Sequence, residues 1–172
     1  VCGEIGIVAY TSLMEEAPSY ERIKLAIKNK HFNVVVFLIT HFESIYNENL
    51  TEFAAQYGNV NIVKWLHEYY SNGCKKCNMD AMDGACGNGN IEVAKWLHTN
   101  CTKGCSKLAM DWACKNGHLS TVRWLHKNRT EGCTKDAMDY ACANGHFGIA
   151  KWLHTNRTEG CTTNAIDNAC IN

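Results

Sequence analysis

Apolar residues recur along this chain in short bursts with a helical period. Between Ile91 and Asn100, Val93, Trp96 and Leu97 fall at i, i+3 and i+4, on one face of a helix. A shorter burst precedes each such helix. In the stretch 137–164 it starts at Ala137-Met138-Asp139 and stops at Asn144-Gly145, a pair suited to a left-handed helix end. The pattern predicts a two-turn helix, a tight turn and a second helix. Two turns are too short to persist alone, so each hairpin needs neighbours. Asp80, Asp136 and Asn164 stand just before the first helices and are the expected N-caps, with Leu108 breaking the rule. Asp83, Asp139 and Asp167, three residues later, are expected to act as shortened capping boxes.

The hairpins are copies of one another. Ala81-Met82-Asp83 returns at Ala109-Met110-Asp111 and Ala137-Met138-Asp139, and as Ala165-Ile166-Asp167, in steps of 28 residues. Trp96-Leu97-His98 returns at Trp124-Leu125-His126 and Trp152-Leu153-His154 with the same step, and residues 109–136 share 18 of 28 positions with 137–164. Trp65-Leu66-His67 lies 31 residues before Trp96-Leu97-His98, so the unit 50–80 carries three extra residues near Cys74-Lys75-Lys76-Cys77. The register predicts five units, 22–49, 50–80, 81–108, 109–136 and 137–164. A degenerate partial unit is expected at 1–21, with Gly3 to Leu13 as its second helix, and the start of a further unit at 165–172. The chain opens at Val1 and closes in mid-repeat at Asn172, so a longer natural chain is expected. The fold class is all-α, a solenoid of stacked helix-turn-helix units that bury their apolar faces only against each other.

Ala141-Cys142-Ala143-Asn144-Gly145-His146 followed by Lys151-Trp152-Leu153 resembles the central helix-turn-helix of an ankyrin repeat. In that family two small residues, a Gly-His turn and a Val-Val-Lys-Leu-Leu helix follow at this spacing, and Ala-Met-Asp stands where ankyrins carry Thr-Pro-Leu-His. The likeness covers roughly 22–172 and is strongest from 81 onward. An ordinary ankyrin unit has about 33 residues. The shortfall falls in the segment that forms the projecting β-hairpin, so short or absent fingers are expected.

Composition narrows the function. The 17 basic and 17 acidic residues balance, which removes the electrostatic case for nucleic acid and for a polybasic membrane contact. The longest aliphatic and aromatic run, Val34 to Ile39, is too short to span a bilayer. A membrane is therefore not an expected partner. The expected location is cytoplasmic, with secretion or delivery to a host cell as the alternative.

Candidate chemistry is mostly absorbed by the repeat. Of 11 cysteines, Cys86, Cys114, Cys142 and Cys170 form one series, and Cys105, Cys133 and Cys161 a second, which Cys74 joins across the insertion. The first series fills a small core position, since a free cysteine behaves as a small hydrophobe. The alternative is a disulfide framework in which each loop cysteine bonds the helix cysteine nine residues on. Cys74-Lys75-Lys76-Cys77 has zinc-knuckle spacing but lacks a second pair. His67, His98, His126 and His154 close the second helices, where a histidine suits the negative terminus and can cap carbonyls. They are too far apart to share a metal. Three of the four sequons, at Asn100, Asn128 and Asn156, share one repeat position and are read as turn chemistry; the fourth starts at Asn49. Catalysis needs one unique constellation, and no phosphate loop, zinc-protease or nucleophile-elbow motif is present. No enzyme, cofactor, metal or small-molecule substrate is expected.

A partner protein is expected, bound by positions that vary while the frame stays fixed. After Ala-Met-Asp the series reads Gly84, Trp112, Tyr140 and Asn168, with Phe53 in the older unit; after the cysteine it reads Gly87, Lys115 and Ala143. The resemblance implies that these first-helix positions line a concave face. Aromatics beside lysine have the composition of an interface centre, so Phe53, Trp112, Tyr140 and Lys115 are the candidate contacts. The competing reading has Trp112 and Tyr140 filling space between first helices. A second variable set, Ser120-Thr121, Gly148-Ile149 and Glu92-Val93, is expected to face solvent. The function expected is a protein-interaction scaffold or adaptor, a secreted effector being one form of it. The alternative is an architectural subunit packed permanently in a larger assembly.

Overall fold

The computed structural model describes residues 20–42, 49–70 and 78–169. They form eleven helices, with no strand among the described residues: α1 Tyr20–Lys28, α2 Phe32–His41, α3 Leu50–Gln56, α4 Val60–Tyr70, α5 Met79–Gly87, α6 Ile91–Asn100, α7 Leu108–Lys115, α8 Leu119–Asn128, α9 Asp136–Ala143, α10 Phe147–Asn156 and α11 Thr163–Ala169. The fold is thus an all-α stack of helical hairpins. First helices (α1, α3, α5, α7, α9, α11) form one packed row, and second helices meet their neighbours more loosely. Gly3 to Leu13, the Cys74-Lys75-Lys76-Cys77 segment and Cys170 lie outside the described residues.

The hairpin turn has a clear physical cause. Gly145 takes φ 70°, its amide donates to Cys142 O and the His146 amide to Ala141 O at 2.8 Å, closing α9 in a Schellman motif. In the hairpin α1–α2 Lys30 holds the corresponding left-handed conformation at φ 59° without a glycine.

The helix starts differ from the expected caps. Asn78 caps α5, accepting from the Ala81 amide at 3.0 Å, and Asp80 lies inside the helix. For the later units the caps are hydroxyls two residues further upstream. Ser106, Thr134 and Thr162 accept from the amides of Leu108, Asp136 and Asn164 at 3.1, 3.1 and 3.2 Å. Leu108 therefore breaks no rule. Nor do the recurring aspartates cap their own helices. Asp83, Asp111 and Asp139 are buried, and each accepts both the amide and the hydroxyl of the next loop's Ser106, Thr134 or Thr162, 23 residues on. Burial pushes Asp83 and Asp111 above the usual carboxylate range, and the hydrogen bonds from Ser106 and Thr134 oppose it.

The core is continuous along the row. Ala85, Cys86, Leu97, Ala113, Cys114 and Leu125 are at most 1% exposed, and Trp65, Trp96, Trp124 and Trp152 pack half-buried against this core. The second variable set contains a core position: Val93, Thr121 and Ile149 are buried, and only Glu92, Ser120 and Gly148 face solvent. The i, i+3, i+4 stripe of a three-turn helix is wide enough to bury its first turn as well.

Each unit also grips the next through side chains that a single hairpin does not explain. The rings of His67, His98 and His126 meet Trp96, Trp124 and Trp152 edge-on at 5.3, 5.5 and 5.1 Å, so these histidines reach across units. Arg129 pairs with Glu131 and lies 3.3 Å from His98 Nδ1; Arg157 repeats this with Glu159 and His126. The Arg157 hydrogen bond holds Glu159 down to about 2. Asn100, Asn128 and Asn156 each donate to the carbonyl four residues back at 2.8 Å, which is helix-end turn chemistry.

The cysteines Cys86, Cys105, Cys114, Cys133, Cys142 and Cys161 are free thiols. Bonds between Cys105 and Cys114 or Cys133 and Cys142 are therefore not formed. The Ser/Thr–Asp contacts set each loop cysteine beside the helix cysteine of its own unit instead, so that Cys86 senses Cys105 and Cys114 senses Cys133. Cys101, outside both series, is in a disulfide.

Candidate interaction face

The first helices present one variable column of side chains: Leu25, Phe53, Gly84, Trp112 and Tyr140. One turn on lies a second, Lys28, Gln56, Gly87, Lys115 and Ala143, followed by Asn29, Tyr57, Asn88, Asn116 and Asn144 at the helix ends. These positions stay free for variation because the buried faces of the same helices are occupied by Ala, Met, Asp and Cys of the repeat.

The structure brings three of the four candidate residues together. Trp112 is 38% exposed on α7, Lys115 is exposed one turn later, and the Lys115 ammonium sits 5.3 Å from the centroid of the half-buried Tyr140 ring on α9. Phe53 stands apart, two helices away in the row. It is half-buried on α3, its ring 4.7 Å from Tyr57 and 5.8 Å from the Lys24 ammonium.

Between these two aromatic groups the row is notched. Gly84 and Gly87 occupy the variable positions of α5, and a groove of about 260 Å³ opens over them. Gln56 walls one side, Trp112, Lys115 and Asn116 the other, and Asn88 closes the end. The glycines allow the walls to lean in: a Cβ on Gly84 would stand 2.6 Å from Gln56 Cγ, and one on Gly87 2.9 Å from Trp112 Cβ. The Asn116 amide group donates to Gly87 O at 2.7 Å, tying α7 to the groove floor. The groove is mixed in polarity, with an indole, a cation and several amides on its walls. It can hold a side chain of a partner by stacking, hydrogen bonding and charge.

The groove was not apparent from the four candidate positions. Extending the register to the older units would have found Gln56 and Lys28, which lie in the same column as Gly87 and Lys115.

Helical hairpins in this order, joined by Gly-His turns and stacked through small residues, can be compared with known families. The family model described as ankyrin repeats (many copies) matches residues 50–98 and 110–154, more than half of the chain. The chain belongs to the ankyrin repeat family. Ankyrin repeats are generally protein–protein interaction modules and typically not enzymes. Both matched stretches start in a first helix and end at the Trp-Leu-His histidine of a second, at His98 and His154. The hairpin α1–α2 lies outside the match, yet it packs onto α3 and α4 in the same manner. No curated protein matches the chain.

Proposed function

We propose that this ankyrin array is an adaptor-type scaffold that captures a partner protein on the variable face of its first helices, with Phe53, Trp112, Lys115 and Tyr140 as contacts. The carrying observation is the exposed Trp112 indole beside Lys115 at the wall of the α3–α5–α7 groove. A large aromatic left 38% exposed costs hydration free energy in the isolated chain and recovers it when a partner covers the ring. The units 22–49, 50–80, 81–108, 109–136 and 137–164 each contribute one first helix to this face. A role as an exported effector uses the same face and differs only in where the partner resides. A permanent architectural role finds less support, because the exposed large apolar side chains of the described residues are spread over seven helices, with only Leu108 and Trp112 sharing one.

The test is partner capture by the full chain from lysate, read by mass spectrometry, with Trp112→Ala/Tyr140→Ala alongside. Capture is expected to disappear while the circular dichroism spectrum stays unchanged. Undiminished capture by the folded double variant would refute the face.

A further inference from the structure

The variable face carries charge in a distinctive arrangement. Across its three columns, Leu25 through Tyr140, Lys28 through Ala143 and Asn29 through Asn144, the only charged residues are Lys28 and Lys115. Neither forms an ion pair among the described residues. Lys28 rests 5.8 Å from the Tyr57 ring and Lys115 5.3 Å from the Tyr140 ring. Lys24, by contrast, is paired to Glu21 at 2.6 Å. Aromatic faces hold the two ammonium groups in place without neutralising them. The carboxylates of the same helices sit near their N-terminal ends, where Glu52 and Asp80 are turned to Asn78 at 3.5 and 3.2 Å. These columns therefore carry positive charge on α1 and α7 and none on the helices between, and Lys115 is itself a wall of the glycine-floored groove.

From these observations, and resting on the proposed capture face, we propose that the partner presents an extended acidic segment. Its carboxylates meet Lys28 and Lys115, and a planar side chain enters the groove against Trp112. The lysines belong to α1 and α7, three steps apart in the first-helix row. Packed helices lie about 8–10 Å apart, so the span is roughly 24–30 Å. An extended chain rises about 3.3 Å per residue, which sets the two acidic positions about eight or nine residues apart. A helix would need about twice as many residues for that reach. Electrostatic complementarity of this kind steers encounter and selects among partners.

The probe is a phage-displayed library of random linear peptides about twelve residues long, enough to cover that span. It is panned on the full chain, on Lys28→Glu/Lys115→Glu, and on Trp112→Ala/Tyr140→Ala, each shown to be folded by circular dichroism. The wild-type pool is expected to gain Asp and Glu about threefold over the naive library, and the charge-reversed variant to lose that preference and gain Lys and Arg. Binding of a selected acidic peptide is expected to weaken as salt rises. A wild-type pool without acidic enrichment, or an identical pool from the charge-reversed variant, overturns the proposal. If such a neutral pool still depends on Trp112 and Tyr140, the capture face survives and only its acidic partner is lost. If no pool depends on them, both readings fall.

Discussion

Asp111 offers a direct measure of how the units are joined. Its side chain is 1% exposed and accepts two hydrogen bonds from Thr134, from the amide at 2.8 Å and the hydroxyl at 2.8 Å. Hydrogen bonds to a charged group contribute about 1.5–3 kcal/mol each. Replacing Asp111 by Ala removes both and strands a half-buried amide, but it also relieves the desolvation that pushes this carboxyl upward. The net cost is expected to be about 2–3 kcal/mol, a large part of a typical domain's stability. The hydroxyl's share is separable by a double-mutant cycle with Thr134→Val. In the wild-type background that change removes the Asp111 bond and the bond accepted from the Asp136 amide at 3.1 Å. With Asp111→Ala already present, only the second remains to be lost. A coupling of about 1 kcal/mol is expected from urea unfolding followed by circular dichroism and tryptophan fluorescence. The single variant should also broaden the transition, since a solenoid loses cooperativity when a junction weakens. A cost for Asp111→Ala below about 0.5 kcal/mol, or strictly additive changes in the cycle, would show that the buried bonds do not tie the units together.

Two further outcomes follow from burial alone. Thr121 is fully buried with its hydroxyl unpartnered, where the neighbouring units place Val93 and Ile149. Thr121→Val is therefore expected to stabilise by about 1 kcal/mol and to raise the melting temperature by about 2–4 °C; a lowered melting temperature would contradict it. Under native maleimide labelling mapped by mass spectrometry, among the described thiols the exposed Cys161 and half-buried Cys142 should react first, and Cys86 and Cys114 only on unfolding. Burial pushes the Cys86 and Cys114 thiols far up, which removes the reactive thiolate as well as access. Cys86 labelling as fast as Cys161 would mean that the stack opens there.

What the sequence made legible was whatever repeats at short range. The Ala-Met-Asp and Trp-Leu-His steps marked both helices of each hairpin, and Asn144-Gly145 marked its turn. Side chains whose partners lie more than twenty residues away were misassigned for a common reason. A local pattern offers Asp83 or Asp139 a free amide three residues away, whereas the true partner is a loop hydroxyl 23 residues on. The histidines at the ends of the second helices were matched to their own helix dipole, and the next unit's tryptophan, 26 residues away for His98 and His126, was out of view. Thr121 was placed outside together with Val93 and Ile149 because the positions vary between units, although two of the three residues in that register are apolar and all three are buried. At the face, the four named residues came from variation between units. The groove came from two glycines whose significance lies in missing side chains, and packing alone reveals that.

The contacts that join the hairpins have a genetic corollary. His98 to Trp124 and Gly89 to His118 run from one unit to its immediate successor, Asp111 to Thr134 runs from a first helix to the loop that enters the next unit, and all three recur at the same offsets one unit on. A stretch of 28 codons copied or excised in frame, lying anywhere within 81–164, would therefore leave each surviving junction with its usual complement of partners. Such an array can lengthen or shorten by whole units without redesigning its interior, while the exposed first-helix column is free to diversify copy by copy.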